Sequence, residues 1–353
     1  MDHLVTLLAR QEEAEVTPQC TPGNDYDGRM GLRIASIFVI WVGSTLGATF
    51  PVFAKNHQSI GVPDWSFFIA KFFGSGVIIA TAFIHLLSPA EDALRDPCLT
   101  GAITEYDWVS GIILMTIFVL FIVELMVMRY SNIEAPERNG HVVAGSEDIE
   151  LNTTKERRRM SAHHPGNDHF GHTARHSSIA EANNLFSFED YKTQLTSIFI
   201  LEFGIIFHSV FIGLTLAVSG DEFVTLFIVL VFHQTFEGLG LGARLAVTPW
   251  PKSKRWTPYI LGAAYGFATP IAIAIGLGVR KSYPPGSRTT LLVNGVFDSI
   301  SAGILIYTGL VELMAHEFMF SRTMKNAPAK TLFSAIFLMC LGAALMALLG
   351  KWA

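Results

Sequence analysis

Apolar residues run along this chain in eight blocks, at roughly 31–54, 65–88, 107–130, 193–219, 222–246, 256–279, 290–318 and 331–350. About 20 mostly apolar residues suffice for an α-helix to cross the hydrocarbon of a bilayer. The pattern therefore predicts an all-α, polytopic membrane protein with eight transmembrane helices. An even count places both termini on one side. Residues 131–192 mix charge, Asn, Gly, Ser and His with little hydrophobic periodicity, so they read as a disordered loop that cannot bury enough apolar surface to offset its ordering entropy. That loop separates helices 1–3 (31–130) from helices 4 and 5 (193–246) and helices 6–8 (256–350). Residues 1–30 form a tail. Its opening stretch, MDHLVTLLARQEEAEV, is too short and too acidic for a signal peptide, so the first span is expected to act as an uncleaved targeting signal.

Composition agrees with the pattern. Half of the residues are hydrophobic and 16% are charged, against about 25% charged in a soluble domain. The net charge of −5 lies almost wholly in tails and loops, and gives no sign of nucleic acid as a partner. Lys and Arg number sixteen on the side of the odd-numbered connections and eight on the side of the termini. By the positive-inside rule both termini are extracytoplasmic and the 131–192 loop is cytosolic. Arg280, Lys281 and Arg288 run against that assignment.

Ionisable groups inside a span are costly in hydrocarbon and so mark function. LEFGIIFHSVFIGL carries His208, with Glu202 and Ser209, and VFHQTFEGLGLGARL carries His233, Gln234 and Glu237. His233 and Glu237, at i and i+4, share one helical face and can grip a single ion. His208 and His233 each lie about 12 residues from the SGD link between their helices, hence some 18 Å from the same surface at roughly 1.5 Å per residue. Two imidazoles and a carboxylate at one depth form a borderline, zinc-like ligand set. With no hydrolase motif beside it, such a set points to transport through a midplane site.

Other polar positions fall around it. His85, near the outer end of the second span with Glu91 and Asp92 beyond it, is expected at the mouth. Lys71 reads as a snorkelling side chain and Glu124 as an interfacial carboxylate. The seventh span holds Asn294 and Asp298 toward the outer end and Glu312 and His316 toward the inner end, an entrance and an exit to the central site. Gly238 and Gly242 form a small-xxx-small seam for helix packing, and Pro270 predicts a kink. The loop stretch HHPGNDHFGHTARH offers His163, His164, His169, His172 and His176 for weak metal sensing or buffering, the alternative being a His-rich polar tether. RRRMS, residues 157–161, is a basic run open to a kinase. Cys20 and Cys98 fall on the same side and could pair, while Cys340 is expected as a small buried residue. No thiolate cluster exists for copper(I); zinc, iron(II), manganese and cadmium suit imidazole plus carboxylate.

FGSGVIIATAFIHLLSPAEDAL, HSVFIGLTLAV, HQTFEGLGLGARL and NGVFDSISAGILIYTGLVEL together resemble the signatures of the ZIP (ZRT/IRT-like) metal-ion transporters, closest to the fungal and plant zinc and iron uptake branch. The resemblance covers all but the tail and the His-rich loop. It implies a 3+2+3 bundle of eight helices with inverted-repeat halves, and divalent metal influx across the plasma membrane by alternating access, of elevator type. It also implies that His208, His233 and Glu237 bind the metal with Ser209 and Gln234 as secondary contacts. Some relatives carry a carboxylate four residues after the first histidine and hold two metals; here Ile212 stands there, so one central metal is expected.

The expected partners are a divalent metal substrate and the lipid bilayer, with a homodimer admitted; zinc is substrate, and no other cofactor or catalytic residue is implied. An intramembrane zinc hydrolase is the rival reading. It would need an activated water and a placed acid or base, and HEFMF fails the HExxH pattern at Phe320. A receptor of seven spans would carry no ligand set.

Overall fold

The computed structural model describes residues 19–20, 23, 26–130, 179–280, 284 and 286–352. Among them, eight helices are long and apolar enough to cross a membrane. They are α1 (Met30–Asn56), α2 (Asp64–Leu94), α3 (Trp108–Tyr130), α4 (Ile179–Val218), α5 (Phe223–Val247), α6 (Thr257–Val279), α7 (Arg288–Phe320) and α8 (Ala329–Leu349). The expected spans are thus all present. α4 begins upstream of its apolar block, at Ile179, within the stretch read as loop. The five loop histidines, from His163 to His176, the basic run 157–161 and most of the amino-terminal tail lie outside the described residues.

The helices sort into two groups by what they pack against. In the first, α1 lies along α5 and α6, and α4 lies along α6; in the second, α8 lies along α2, and α3 and the latter half of α2 lie along α7. The groups meet where α2 touches α5 and α4 touches α7. Small residues allow these approaches. The Gly238/Gly242 seam seats on α1, not on α4: a Cβ at Gly238 would stand 2.9 Å from the Ser44 carbonyl oxygen. On the other side of α5, a Cβ at Gly240 would stand 2.9 Å from the Cα of Gly74 on α2. α5 is therefore held at backbone contact on both flanks, which fixes the position of whatever its remaining face carries.

Large apolar side chains such as Phe118, Phe333, Phe337 and Ile260 face outward. In water such coverage would drive aggregation; against lipid it is the expected surface. Trp65, Trp256 and Trp352 are exposed at helix ends, where an indole sits at headgroup level. Cys340 is exposed on the outward side of α8, not buried as expected.

Cys20 and Cys98 form a disulfide with Cα atoms 4.9 Å apart. It marks one face of the molecule, here called the disulfide face. Arg33 is fully buried on that side. It donates to the carbonyls of Leu216, Ala217 and Ser219 and to Asp27 Oδ1. Its guanidinium lies over the rings of Tyr26 and Phe223. The cation closes the carboxyl end of α4, where orphan carbonyls and the helix dipole favour positive charge.

Candidate metal site

α4 and α5 share few direct contacts, yet both pack on α6, and that scaffold brings their polar faces together. His208, His233 and Glu237 are buried, and one ligand atom from each lies within 4.8 Å of the others. His233 Nε2 and Glu237 Oε1 stand 3.3 Å apart, and the His208 and His233 ring centroids 5.6 Å apart. Apart from that approach of His233 to Glu237, the nitrogens of both histidines and the carboxylate oxygens lack a hydrogen-bond partner among the described residues. Buried polar atoms are nearly always paired because leaving them so costs free energy. A cation shared by three donors removes that cost. Two imidazoles and a carboxylate, with space for further ligands, fit a divalent ion of zinc's kind.

Ser209 and Gln234 are equally buried but turn to each other, the Gln234 amide donating to Ser209 Oγ at 3.3 Å. The Gln234 backbone carbonyl accepts from Tyr265 Oη at 2.6 Å. The pair ties α4 to α5, and the tyrosine ties α6 to α5, beside the donors.

His85 departs from expectation. It lies deeper than a headgroup-level residue, beside the donors: its ring stands edge-on to that of His233, with centroids 4.7 Å apart, and a ring nitrogen lies 3.2 Å from the Met346 carbonyl of α8. A wide π turn over Thr81–Leu87 carries it there. Pro89 has no N–H to offer the His85 carbonyl, and the Ser88 N–H reaches back five residues to Phe83. The proline signal was in the sequence; its effect on depth was not.

Two cavities flank the donors. One, of about 450 Å³, opens toward the disulfide face and is lined by His85, His208, Asp298, Asp92 and Asp96 among apolar side chains. Asp298 lies where an entrance residue was expected. Asn294 and Glu91 are not among its lining residues, and Asp96 joins unforeseen. The other, of about 570 Å³, opens toward the opposite face and is lined by Lys71, Ser197, Arg244, Glu312, His316 and Glu317 with their neighbours. Glu312 and His316 thus share one chamber. Lys71 does not snorkel: it pairs with Glu317 at 2.6 Å. Glu124 is no interfacial carboxylate but buried, accepting from Tyr307 Oη at 2.5 Å. Glu202 is 3% exposed with neither oxygen partnered among the described residues.

A ZIP zinc transporter family model matches residues 30–350. The chain belongs to the ZIP family of zinc transporters. It is 44% identical to Zinc-regulated transporter 2 of Saccharomyces cerevisiae, over 99% of this chain and 100% of the relative. It is 40% identical to Zinc-regulated transporter 1 of the same yeast, over 94% and 90%. To Zinc transporter 3 of Arabidopsis thaliana it is 34% identical, over 95% and 89%. This ZIP chain is a zinc transporter and not an enzyme, which removes the hydrolase reading.

Proposed function

We propose that the protein moves zinc from the disulfide face into the cytosol, with His208, His233 and Glu237 as the central ligands and the two cavities as successive half-paths. The observation that carries this reading is a fully buried three-donor set without partners among the described residues, between two polar chambers that open on opposite faces. Solvent reaches the donors from one side at a time if the two helix groups shift against each other, which is alternating access. Ser209 and Gln234 position the ligand helices. Asp92, Asp96 and Asp298 raise the local cation concentration at the entrance, and Glu312 and His316 receive the ion on the other side.

Two features support the orientation. A disulfide persists in an oxidising compartment, so the face with Cys20 and Cys98 is extracytoplasmic, as are both termini. Arg33 and Arg244 prove to be inside the fold, one from each side of the Lys and Arg tally, so the excess on the opposite face survives their removal. The plasma membrane is the site this implies. There the potential favours entry of a divalent ion by about 4.6 kcal/mol per 100 mV, at roughly 2.3 kcal/mol per charge. Iron(II), manganese and cadmium suit the same ligands, and Ile212 leaves room for one central ion only.

The test is radiolabelled zinc uptake in cells expressing the wild-type chain, His208→Ala and Glu237→Ala, with surface abundance measured alongside. Saturable uptake lost in both variants at equal abundance is expected. Uptake that persists in the variants overturns the ligand assignment, and zinc leaving rather than entering overturns the direction.

A further inference from the structure

Arg244 lies seven residues after Glu237 on α5, two turns along the same helical face and about 10 Å nearer the cytosolic side. An ion that leaves the central site toward the second cavity therefore meets a guanidinium. That is an odd group to find on the route of a divalent cation, which it repels. Its surroundings explain how it is held. The Nη2 atom donates to Ser75 Oγ of α2 at 3.0 Å, across the line where the two helix groups meet and beside the Gly74–Gly240 contact. Arg244 lines the second cavity together with Glu312 and Glu317 of α7, whose charges act on it. Glu317 is already engaged by Lys71, which leaves Glu312 as the carboxylate that can take the guanidinium. Nε has no partner among the described residues, so the side chain is held from one end.

We propose that Arg244 is the cytosolic gate of the metal route, a cationic plug between the His208/His233/Glu237 set and the second cavity. It is latched across the two helix groups by Ser75 and is freed from that latch when the groups move apart. The plug sits on α5 and its latch on α2, so the movement that opens the site inward is the movement that breaks the latch. This inference rests on the proposed route and orientation.

A sided labelling experiment tests it. Leu241, between Glu237 and Arg244 on the same face, is replaced by Cys in a Cys340→Ser background, and a membrane-impermeant maleimide is applied to inside-out vesicles. With Arg244 present, labelling is expected to be slow. Arg244→Met is expected to accelerate it at least about tenfold, the scale of one lost charge-assisted hydrogen bond. Arg244→Lys, which keeps a cation, is expected to hold the rate near that of Arg244. Ser75→Ala, a smaller change on another helix, is expected to accelerate labelling as well, and serves if Arg244→Met fails to insert. Equal rates in the Met, Ala and unaltered chains overturn the gate. Zinc uptake by right-side-out vesicles of the parent chain is measured separately. If no zinc moves while labelling still answers to Arg244, the gate stands and the transport direction falls.

Discussion

Arg33, itself fully buried, donates to four backbone carbonyls and one carboxylate, three of the carbonyls at the end of α4, so its removal leaves that end unpaired. Leaving a buried carbonyl without its donor costs about 1–3 kcal/mol. Arg33→Met is accordingly expected to lower the detergent melting temperature markedly and to reduce folded yield, with Arg29→Met, whose side chain is largely exposed, as the mild comparison. Asp27 reads the same contact through pH. The Arg33 guanidinium that donates to it holds its carboxyl below the ordinary carboxylate value. A depressed folded pKa means the contribution is present above the ordinary value and is lost as pH falls through the folded one. Asp27→Asn should therefore flatten the acid limb of a melting-temperature profile below about pH 4, and an unchanged limb would show that the pair contributes nothing there. Sequence pattern missed both residues because hydropathy marks where a helix lies and is silent on which end charges turn inward. It found His208, His233 and Glu237 because charged or titratable groups in the middle of a span have no bland explanation, whereas Glu124 and Lys71, near span ends, had one.

At the scale of elements, the eight spans were legible because length and apolarity are set by the bilayer itself. Neighbour relations were not. The short SGD link suggested that α4 and α5 lie side by side, yet α4 is bound mainly to α6 and α7 and α5 mainly to α1 and α2, and the glycine seam of α5 turns to α1. A link fixes where two helices start, not which faces meet. The depth of His85 escaped for a related reason: a single π turn advances every later side chain around the helix axis. Packing at the α2–α5 crossing yields a sharp expectation. In Gly240→Ala, the new Cβ would meet the Gly74 backbone at 2.9 Å; backbone cannot swing aside as a flexible side chain can, so the helices must separate. Overpacking of this kind costs about 1–3 kcal/mol. Gly278→Ala meets nothing within 4 Å and should be silent. Zinc uptake per surface molecule should fall in the first and hold in the second; equal uptake would mean that the crossing is loose.

For the whole molecule, the informative relation is between the two helix groups and the disulfide. Cys20 precedes α1, which belongs to the group holding α4, α5 and α6. Cys98 follows α2, which belongs to the other group. The bond is therefore a tether between the two helix groups whose relative shift is proposed to open the route, and Arg33 with Asp27 clips the same amino-terminal stretch to the end of α4. The sequence offered the pair as two cysteines on one side; that they join separate bodies follows only from the packing. Closing a loop of this kind typically adds about 2–4 kcal/mol by limiting the unfolded chain. Membrane insertion already limits that chain, which places the gain at the lower end. Cys20→Ser should thus lower the melting temperature by a few degrees and retain zinc transport, since neither cysteine lines either of the two cavities that flank the donors. Reductant added outside should do the same to the wild-type chain and nothing to the variant. The contrary result, a complete loss of uptake at normal surface abundance, would show that the tether does not merely hold the folded state but sets how far the two bodies travel.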